Sequence, residues 1–450
     1  MSAADPTSDP RSPVVYGIDA RPPLTEAIPL GIQHVLAMLL GNIATPLLVG
    51  GALALAVTET ALLIQMVLVM AGIATVVQSY PIGPVGGRLP IVMGTSIAFL
   101  GAIIGVATEY GLAVVFGACL VAAVVEVVLG FSIAKIRAAF PPLVNSIVVM
   151  LIGLTLIPVG MDYAAGGRGA ADYGSVTNLG IAALVLVATL GLNQFARGFA
   201  SYASILLGMT VGYVAAVAAG RVDFSPVAEA GWFALPRLAP FGLQFEWTPI
   251  LVMAFVYVVS TMETIGDISG TVAAVDRDPT NEELRGGLVA DGVMSGLAAL
   301  VSAFPNTSYS QNVGLVNFTG VVSRHVTAIG GIFLVVLGLV PKVGALFATI
   351  PAPVIGGGGL IMFAMIFSSG AAIFHRGAET DRRSLVILAV AVGLGLGVEL
   401  RPEVLAQAPQ WARSFFGSGL ITGGLAALGL NLMLPSQPGR SRVADRQLTE

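Results

Sequence analysis

Two carboxylic acids, Glu263 and Asp267, stand four residues apart in VVSTMETIGDISG. At helical spacing they share one face, about one turn apart. Two carboxylates that close repel when both are ionised, so the pair suits taking up and releasing a proton. Downstream, PNTSYSQNVGLVNFTG (305–320) gathers Asn306, Thr307, Ser308, Tyr309, Ser310, Gln311, Asn312, Asn317 and Thr319. The side-chain amides there each offer an N–H donor and a C=O acceptor. Three more ionisable residues sit in apolar runs: Asp291 in GGLVADGVMSG, Glu126 in VAAVVEVVLG, and His34 beside Gln33 in GIQHVLAM.

The surrounding chain makes these residues costly. It has 450 residues, 56% hydrophobic and 10% charged. A soluble globular protein carries about 25% charge. Long apolar runs between short charged loops describe a polytopic helical membrane protein. An acid in hydrocarbon costs several kcal/mol unless paired or protonated, so each one is a functional candidate. For Asp291 the alternative is a helix cap near the membrane surface; for Glu126, one packing contact between spans. For His34 an orienting or structural role is favoured over proton carriage.

Fourteen spans are expected, at roughly 27–50, 58–80, 89–107, 111–134, 141–160, 177–194, 201–220, 248–272, 286–304, 306–321, 326–348, 353–374, 384–399 and 416–435. An even count puts both termini on one side. With the N-terminus cytoplasmic, 15 of the 21 basic residues fall inside; only Arg168, Arg221, Arg237, Lys342, Arg401 and Arg413 fall outside. That bias supports the count and the orientation. Met1–Pro23 is polar and Pro-rich, with no apolar core beside Met1, so it is expected to be a mobile tail and not a signal peptide. The C-terminal SQPGRSRVADRQLTE is expected to be a second tail.

The stretch 305–320 is expected to be a broken span. It opens on Pro-Asn, runs extended through Thr307–Ser310, then becomes apolar with helical spacing at Val313 and Val316. So many polar groups at membrane depth need a cavity or protein around them. Split seven and seven, the third span matches the tenth: Gly94-Thr95-Ser96 after Pro90 corresponds to Asn306-Thr307-Ser308 after Pro305. An odd number of spans per half inverts the second copy. Two broken spans meeting at the midplane is the arrangement of an inverted-repeat secondary transporter. Chance clustering of small residues in packed membrane helices is the competing explanation.

Other chemistries find little support. No His/Cys/Asp cluster has metal-ligand spacing, and no Walker loop, GxSxG elbow or nucleotide fingerprint is present. No metal, cofactor or nucleic-acid partner is expected. Gly356–Gly359 lies in an apolar span and suits close helix packing. Cys119, the one cysteine, cannot form an intramolecular disulfide.

QNVGLVNFTG, Gln311 to Gly320, resembles the signature of the nucleobase–ascorbate transporter family, with Gln311, Asn312, Gly314, Thr319 and Gly320 at the fitting positions. ETIGD (263–267) resembles that family's eighth-span acid motif, ADG (290–292) its ninth-span aspartate, and Gln33-His34 its first-span motif. Phe140–Gly160 is similar to its fifth span, and the likeness runs from about Leu24 to Leu434. The resemblance implies an all-α fold of fourteen spans in two inverted seven-span repeats. Spans 3 and 10 would be broken, with short antiparallel strands. It implies a core domain at 24–137 and 248–348, a gate domain at 138–247 and 349–435, and cytoplasmic tails at 1–23 and 436–450. A homodimer and an elevator-like slide of core against gate are further implications.

Carried over residue by residue, Glu263 would bind ring N–H groups and Gln311 would make a paired donor–acceptor contact. Backbone groups near Ser310 and Ser96 would complete the pocket. Asp267 and Asp291 would tune protonation and coupling, and Asn312, His34, Gly314 and Thr319 would shape the site. Within the family, Gln at position 311 goes with xanthine and uric acid. Many members place a stacking aromatic directly after the small polar residue of the third span. Here Ile97 follows Ser96; either Phe99, which would share its face in an extended strand, stands in for it, or the base rests on an aliphatic surface. The expectation is therefore a proton-coupled importer of xanthine and/or uric acid in a bacterial inner membrane. The alternatives are a uracil or other nucleobase permease, Na+ coupling, or a sulfate-type anion carrier. An ion channel or a membrane enzyme fits the residues less well.

Overall fold

The computed structural model describes residues 14–136, 141–377 and 381–435. The expected C-terminal tail, residues 1–13 of the N-terminal one, and the 137/138 domain boundary lie outside these. The chain is mainly helical. In order it forms α1 (Leu24–Ala52), α2 (Val57–Ser79), β1 (Met93–Thr95), α3 (Leu100–Tyr110), α4 (Leu112–Ile136), α5 (Pro142–Ala164), α6 (Val176–Phe195), α7 (Ser204–Ala218), α8 (Trp247–Val272) and α9 (Asn281–Leu300). Then follow β2 (Asn306–Ser308), α10 (Ser310–Thr319), α11 (Arg324–Gly338), α12 (Pro341–Ala348), α13 (Ala352–Gly377), α14 (Arg382–Leu400), α15 (Gln410–Phe416) and α16 (Gly419–Met433). Among the described residues eight helices are long and apolar enough to cross a membrane, and up to ten if each of two bent pairs is one span.

Those pairs depart from straight spans. The segment expected at 326–348 is α11 and α12, bent by 81°. Pro341 opens α12, where its missing N–H costs nothing, and it cannot continue α11. α15 and α16 are bent by 77° in the same way, at Gly417 and Ser418.

The described residues form two compact units, 14–136 with 156–365, and 141–155 with 366–377 and 381–435. In the first, small residues bring helix backbones together. A Cβ on Gly72 of α2 would lie 2.4 Å from the Gly331 carbonyl oxygen of α11. One on Gly31 of α1 would lie 3.0 Å from the Gly330 nitrogen. α4 and α9 approach where a Cβ on Gly292 would lie 2.9 Å from the Val127 nitrogen. Without hydrophobic drive between helices in lipid, such close contact supplies the attraction. In the second unit α14 meets α16 through Gly395 and Gly419, and Glu399 Oε2 accepts the Gly419 N–H at 2.9 Å.

β1 and β2 are the non-helical centre of the first unit. They pair antiparallel, with Met93 opposite Ser308, Gly94 opposite Thr307 and Thr95 opposite Asn306. The pairing runs past the strands: Ser96 N donates to Pro305 O at 2.8 Å and Tyr309 N to Val92 O at 3.1 Å. Both expected breaks are thus present, and each completes the other's backbone.

Residues 14–23, expected to belong to a mobile tail, are held in place. Val15 N donates to Gly320 O, Val322 N to Tyr16 O and Arg324 N to Ile18 O. Ser323 Oγ donates to Ala20 O, and Arg324 pairs with Asp19 at 2.7 Å. The polar character seen in sequence serves these bonds.

Gly72→Ala should lower the unfolding midpoint in detergent, at a cost of about 1–3 kcal/mol, because backbone faces the added methyl. Gly101→Ala, where nothing lies within 4 Å, should leave the midpoint unchanged or raise it.

Candidate functional site

The site is built where α8 meets the broken span of β2 and α10. Asp267, buried on α8, accepts Ser310 Oγ on Oδ1 and Ser308 Oγ on Oδ2, both at 2.6 Å. One carboxylate thereby ties the last strand residue to the first residue of the half-helix. Asn317 Nδ2 fastens the other end of α10, donating to Gly270 O at 3.1 Å. Thr319 Oγ1 bonds back to Leu315 O at 2.8 Å, and Gly320 ends α10 at φ +67°, a left-handed conformation suited to glycine. Gly314 is exposed on α10 with open space around its Cα.

Glu263 lies one turn before Asp267 on α8 and is half-buried. Asp267, Asp291 and Tyr309 are close enough to feel its charge. Gln311 follows Ser310 and is exposed. Among the described residues, neither the Glu263 nor the Gln311 side chain has a hydrogen bond to protein, and both can bind something else.

α1 supports the half-helix. Asn312 Nδ2 donates to His34 O at 2.9 Å and lies 3.1 Å from His34 Nδ1. Both residues are buried. His34 thus holds the Asn312 amide against α1. Asp291, buried on α9, accepts Thr264 Oγ1 on Oδ2 at 2.5 Å, while Oδ1 has no hydrogen-bond partner. It lies nearly three turns inside α9, whose N-terminus is capped by Thr280 and Glu283, so the helix-cap alternative for Asp291 does not hold.

Ser96 is fully buried with its N–H on Pro305 O and its hydroxyl unpartnered. The aromatic expectation needs correction. The extended run stops at Thr95, and Leu100 N donates to Ile97 O at 3.0 Å, which turns the chain into α3. Ile97 and Phe99 therefore do not share a strand face. Phe99 is 0% exposed and packs edge-to-face on Tyr257, ring centroids 4.7 Å apart. Its ring is spent on the core, and half-buried Ile97 takes the more open position.

Several residues escaped the sequence reading. Asn42 on α1 accepts the Thr95 N–H on Oδ1 at 2.7 Å. Thr75 on α2 accepts the Met93 N–H at 2.9 Å, and Ser295 on α9 the Asn306 N–H at 2.9 Å. Three helices thus take three outward N–H groups of the strands. Tyr309 OH donates to Thr95 O at 2.7 Å. Its ring lies between Gly41 and Gly94, where an added Cβ would stand 2.6 Å from it on either side. The signal was the cost that marked the acids, a polar side chain within an apolar run, applied to uncharged residues as well.

Comparison with known proteins adds family. A family model, Xan_ur_permease, described as "Permease family", matches residues 25–404. A putative purine permease of Clostridium perfringens is 40% identical over 94% of this chain and 94% of its own length. The uric acid permease PucK of Bacillus subtilis is 37% identical over 92% of this chain and 96% of its own. Among solved structures, the transmembrane domain of the cyanobacterial bicarbonate transporter BicA aligns with a TM-score of 0.59 at 14% identity, covering 92% of this chain and 99% of that one.

Asp267→Ala should lower stability by about 1–3 kcal/mol, since it strands the Ser308 hydroxyl in a buried position. In a Ser308→Ala background the same change should cost at least about 1 kcal/mol less. Unfolding midpoints of the four proteins in detergent measure that coupling.

Proposed function

The chain belongs to the Permease family (Xan_ur_permease), and on that premise we propose that it imports a purine base, xanthine and/or uric acid, together with a proton. It is a multi-pass membrane protein and a transporter, not an enzyme. The observation that carries the substrate reading is a pair of polar side chains without protein partners among the described residues, Glu263 and Gln311, beside Asp267, Ser308 and Ser310, which are bonded to one another. A carboxylate accepts ring N–H groups, and a Gln amide matches an edge carrying both a donor and an acceptor. An oxopurine presents both. Backbone groups near Ser96, just past β1, and Ser310, which opens α10, complete the pocket, and Ile97 offers an aliphatic surface to the ring.

The roles divide along hydrogen bonding. Glu263 grips the base. Asp267, bonded to Ser308 and Ser310, and Asp291, bonded to Thr264, pass protonation changes to the strand and the helix that carry the site. His34 and Asn312 hold α10 at its angle to α1, and Gly314 and Thr319 keep α10 slim and closed at its end.

In this reading fourteen spans form two inverted repeats, with β1 and β2 as counterparts. In support, each strand follows a left-handed residue and a proline: Arg88 and Pro90, Ser302 and Pro305. The core comprises 24–137 and 248–348, and the gate 138–247 and 349–435. This mechanical division is drawn by function and need not follow the compact units. The core slides past the gate like an elevator, in a homodimer within the inner membrane, both termini cytoplasmic.

A second reading, an anion carrier, has the fold likeness to BicA behind it. An anion seated at the start of α10 would meet Glu263 and Asp267, and their charge would oppose it.

Uptake of radiolabelled xanthine, urate and uracil by bacteria lacking their own permeases tests the proposal. Xanthine or urate should accumulate, and a protonophore should stop it. Glu263→Gln should abolish uptake, and Gln311→Glu should weaken recognition of purines. Normal purine uptake by both variants would overturn the site.

A further inference from the structure

One acid has no place in the roles above. Glu126 lies midway along α4, fully buried, and neither carboxyl oxygen has a hydrogen-bond partner among the described residues. An isolated carboxylate in such a place is among the most costly groups a protein can bury. Its surroundings explain how it is tolerated. Facing it across the α4–α9 contact is the carboxyl of Asp291, also fully buried, whose Oδ1 has no partner. The approach is close because Gly292 follows Asp291: a Cβ there would lie 3.0 Å from the Ala123 carbonyl oxygen and 2.9 Å from the Val127 nitrogen.

The other titratable groups around the pair are Glu263, Asp267 and Tyr257, together with the hydroxyls of Thr261 and Thr264. Among the described residues, no Lys, Arg or His is among the groups acting on it. Nor does any group of His, Cys, Asp and Glu among them have the arrangement of a metal site. Two facing carboxyls with three unpartnered oxygens and no cation have one economical occupant, a proton held between them.

We propose that Glu126 and Asp291 form a second proton-holding site, distinct from the substrate-facing acid Glu263. In the loaded state one carboxyl O–H donates to an oxygen of the other, ionised group. When the proton leaves for water, both are carboxylates and repel across the α4–α9 contact; nothing is oxidised or reduced. The signal has two short routes. Asp291 holds Thr264, which follows Glu263 in the chain. One turn on from Asp291, Ser295 holds the Asn306 N–H of β2. Repulsion at the pair therefore bears on both the substrate acid and the strand beside it. The inference rests on the transport reading and adds Glu126 to it.

The test uses the full chain in liposomes with radiolabelled xanthine. With the interior one pH unit more alkaline, one coupled proton sustains up to about tenfold accumulation. Glu126→Gln should bring that ratio to about 1 while xanthine exchange at equal pH stays within about threefold of wild type. Glu126→Asp, which keeps an acid, should restore part of the accumulation. Unchanged pH-driven accumulation in Glu126→Gln would overturn the proposal, as would accumulation in the wild type driven only by a Na+ gradient.

Should the variants not insert, dicyclohexylcarbodiimide labelling of the wild type with peptide mapping decides the same point. This apolar reagent modifies protonated carboxyls in apolar surroundings. Label on Glu126 or Asp291 that fades as pH rises supports the pair; absence of label at every pH overturns it. A wild type that neither exchanges nor accumulates xanthine, urate or uracil would refute the transport reading, while the labelling still reports on the pair.

Discussion

Backbone N–H and C=O groups cannot be left bare at membrane depth, and two spans of this protein interrupt their helices there. The solution is mutual. Met93–Thr95 and Asn306–Ser308 pair three residues each, and flanking bonds from Ser96 and Tyr309 extend the ladder at both ends. The outward-facing groups go to side chains on three helices: Asn42, Thr75 and Ser295. An isolated two-stranded pair is marginal even in water. Here it persists because helices enclose it and take the N–H groups of Met93, Thr95 and Asn306.

That constraint sets the roles of the surrounding residues. Glycine stands at positions 41 and 94 because the Tyr309 ring fills the space on both sides. Tyr309 in turn reaches the Thr95 carbonyl and locks the strands' relative position. Asp267 takes two hydroxyls, from the end of the strand and the start of the half-helix, so it defines the angle at which the span resumes. A residue placed for chemistry and one placed for structure can be hard to separate in such a site. The hydrogen-bond inventory separates them: Asp267 and Asn312 are engaged by protein, whereas Glu263 and Gln311 are not.

The helices around this centre are held by contact and not by amphipathic drive. Gly72 against Gly331, Gly31 against Gly330 and Gly292 against α4 bring backbones together in pairs. Close approach of α4 and α9 has a chemical result as well. It sets Glu126 against Asp291, two acids that a wider spacing would leave separately solvated or separately unaffordable. The tight packing and the acidic pair are one feature of the fold.

The membrane class, the long apolar helices and the two extended breaks, found at Met93–Thr95 and Asn306–Ser308, are all legible in the chain. Each follows from local cost: an acid, an amide or a proline inside a long apolar run is expensive wherever the run ends up. Tertiary structure alone decided which polar groups are consumed by the protein and which stay open, because a hydrogen-bond partner lies at no fixed distance in sequence. Asn42 meets Thr95, His34 meets Asn312, and Glu126 meets Asp291 only after helices far apart in the chain have packed. Packing also buried Phe99 against Tyr257, since a turn at Ile97 breaks the alternation that a strand would have kept. It fastened Val15 to Ala20 onto Gly320–Arg324, which no local pattern in a polar, Pro-rich segment could announce.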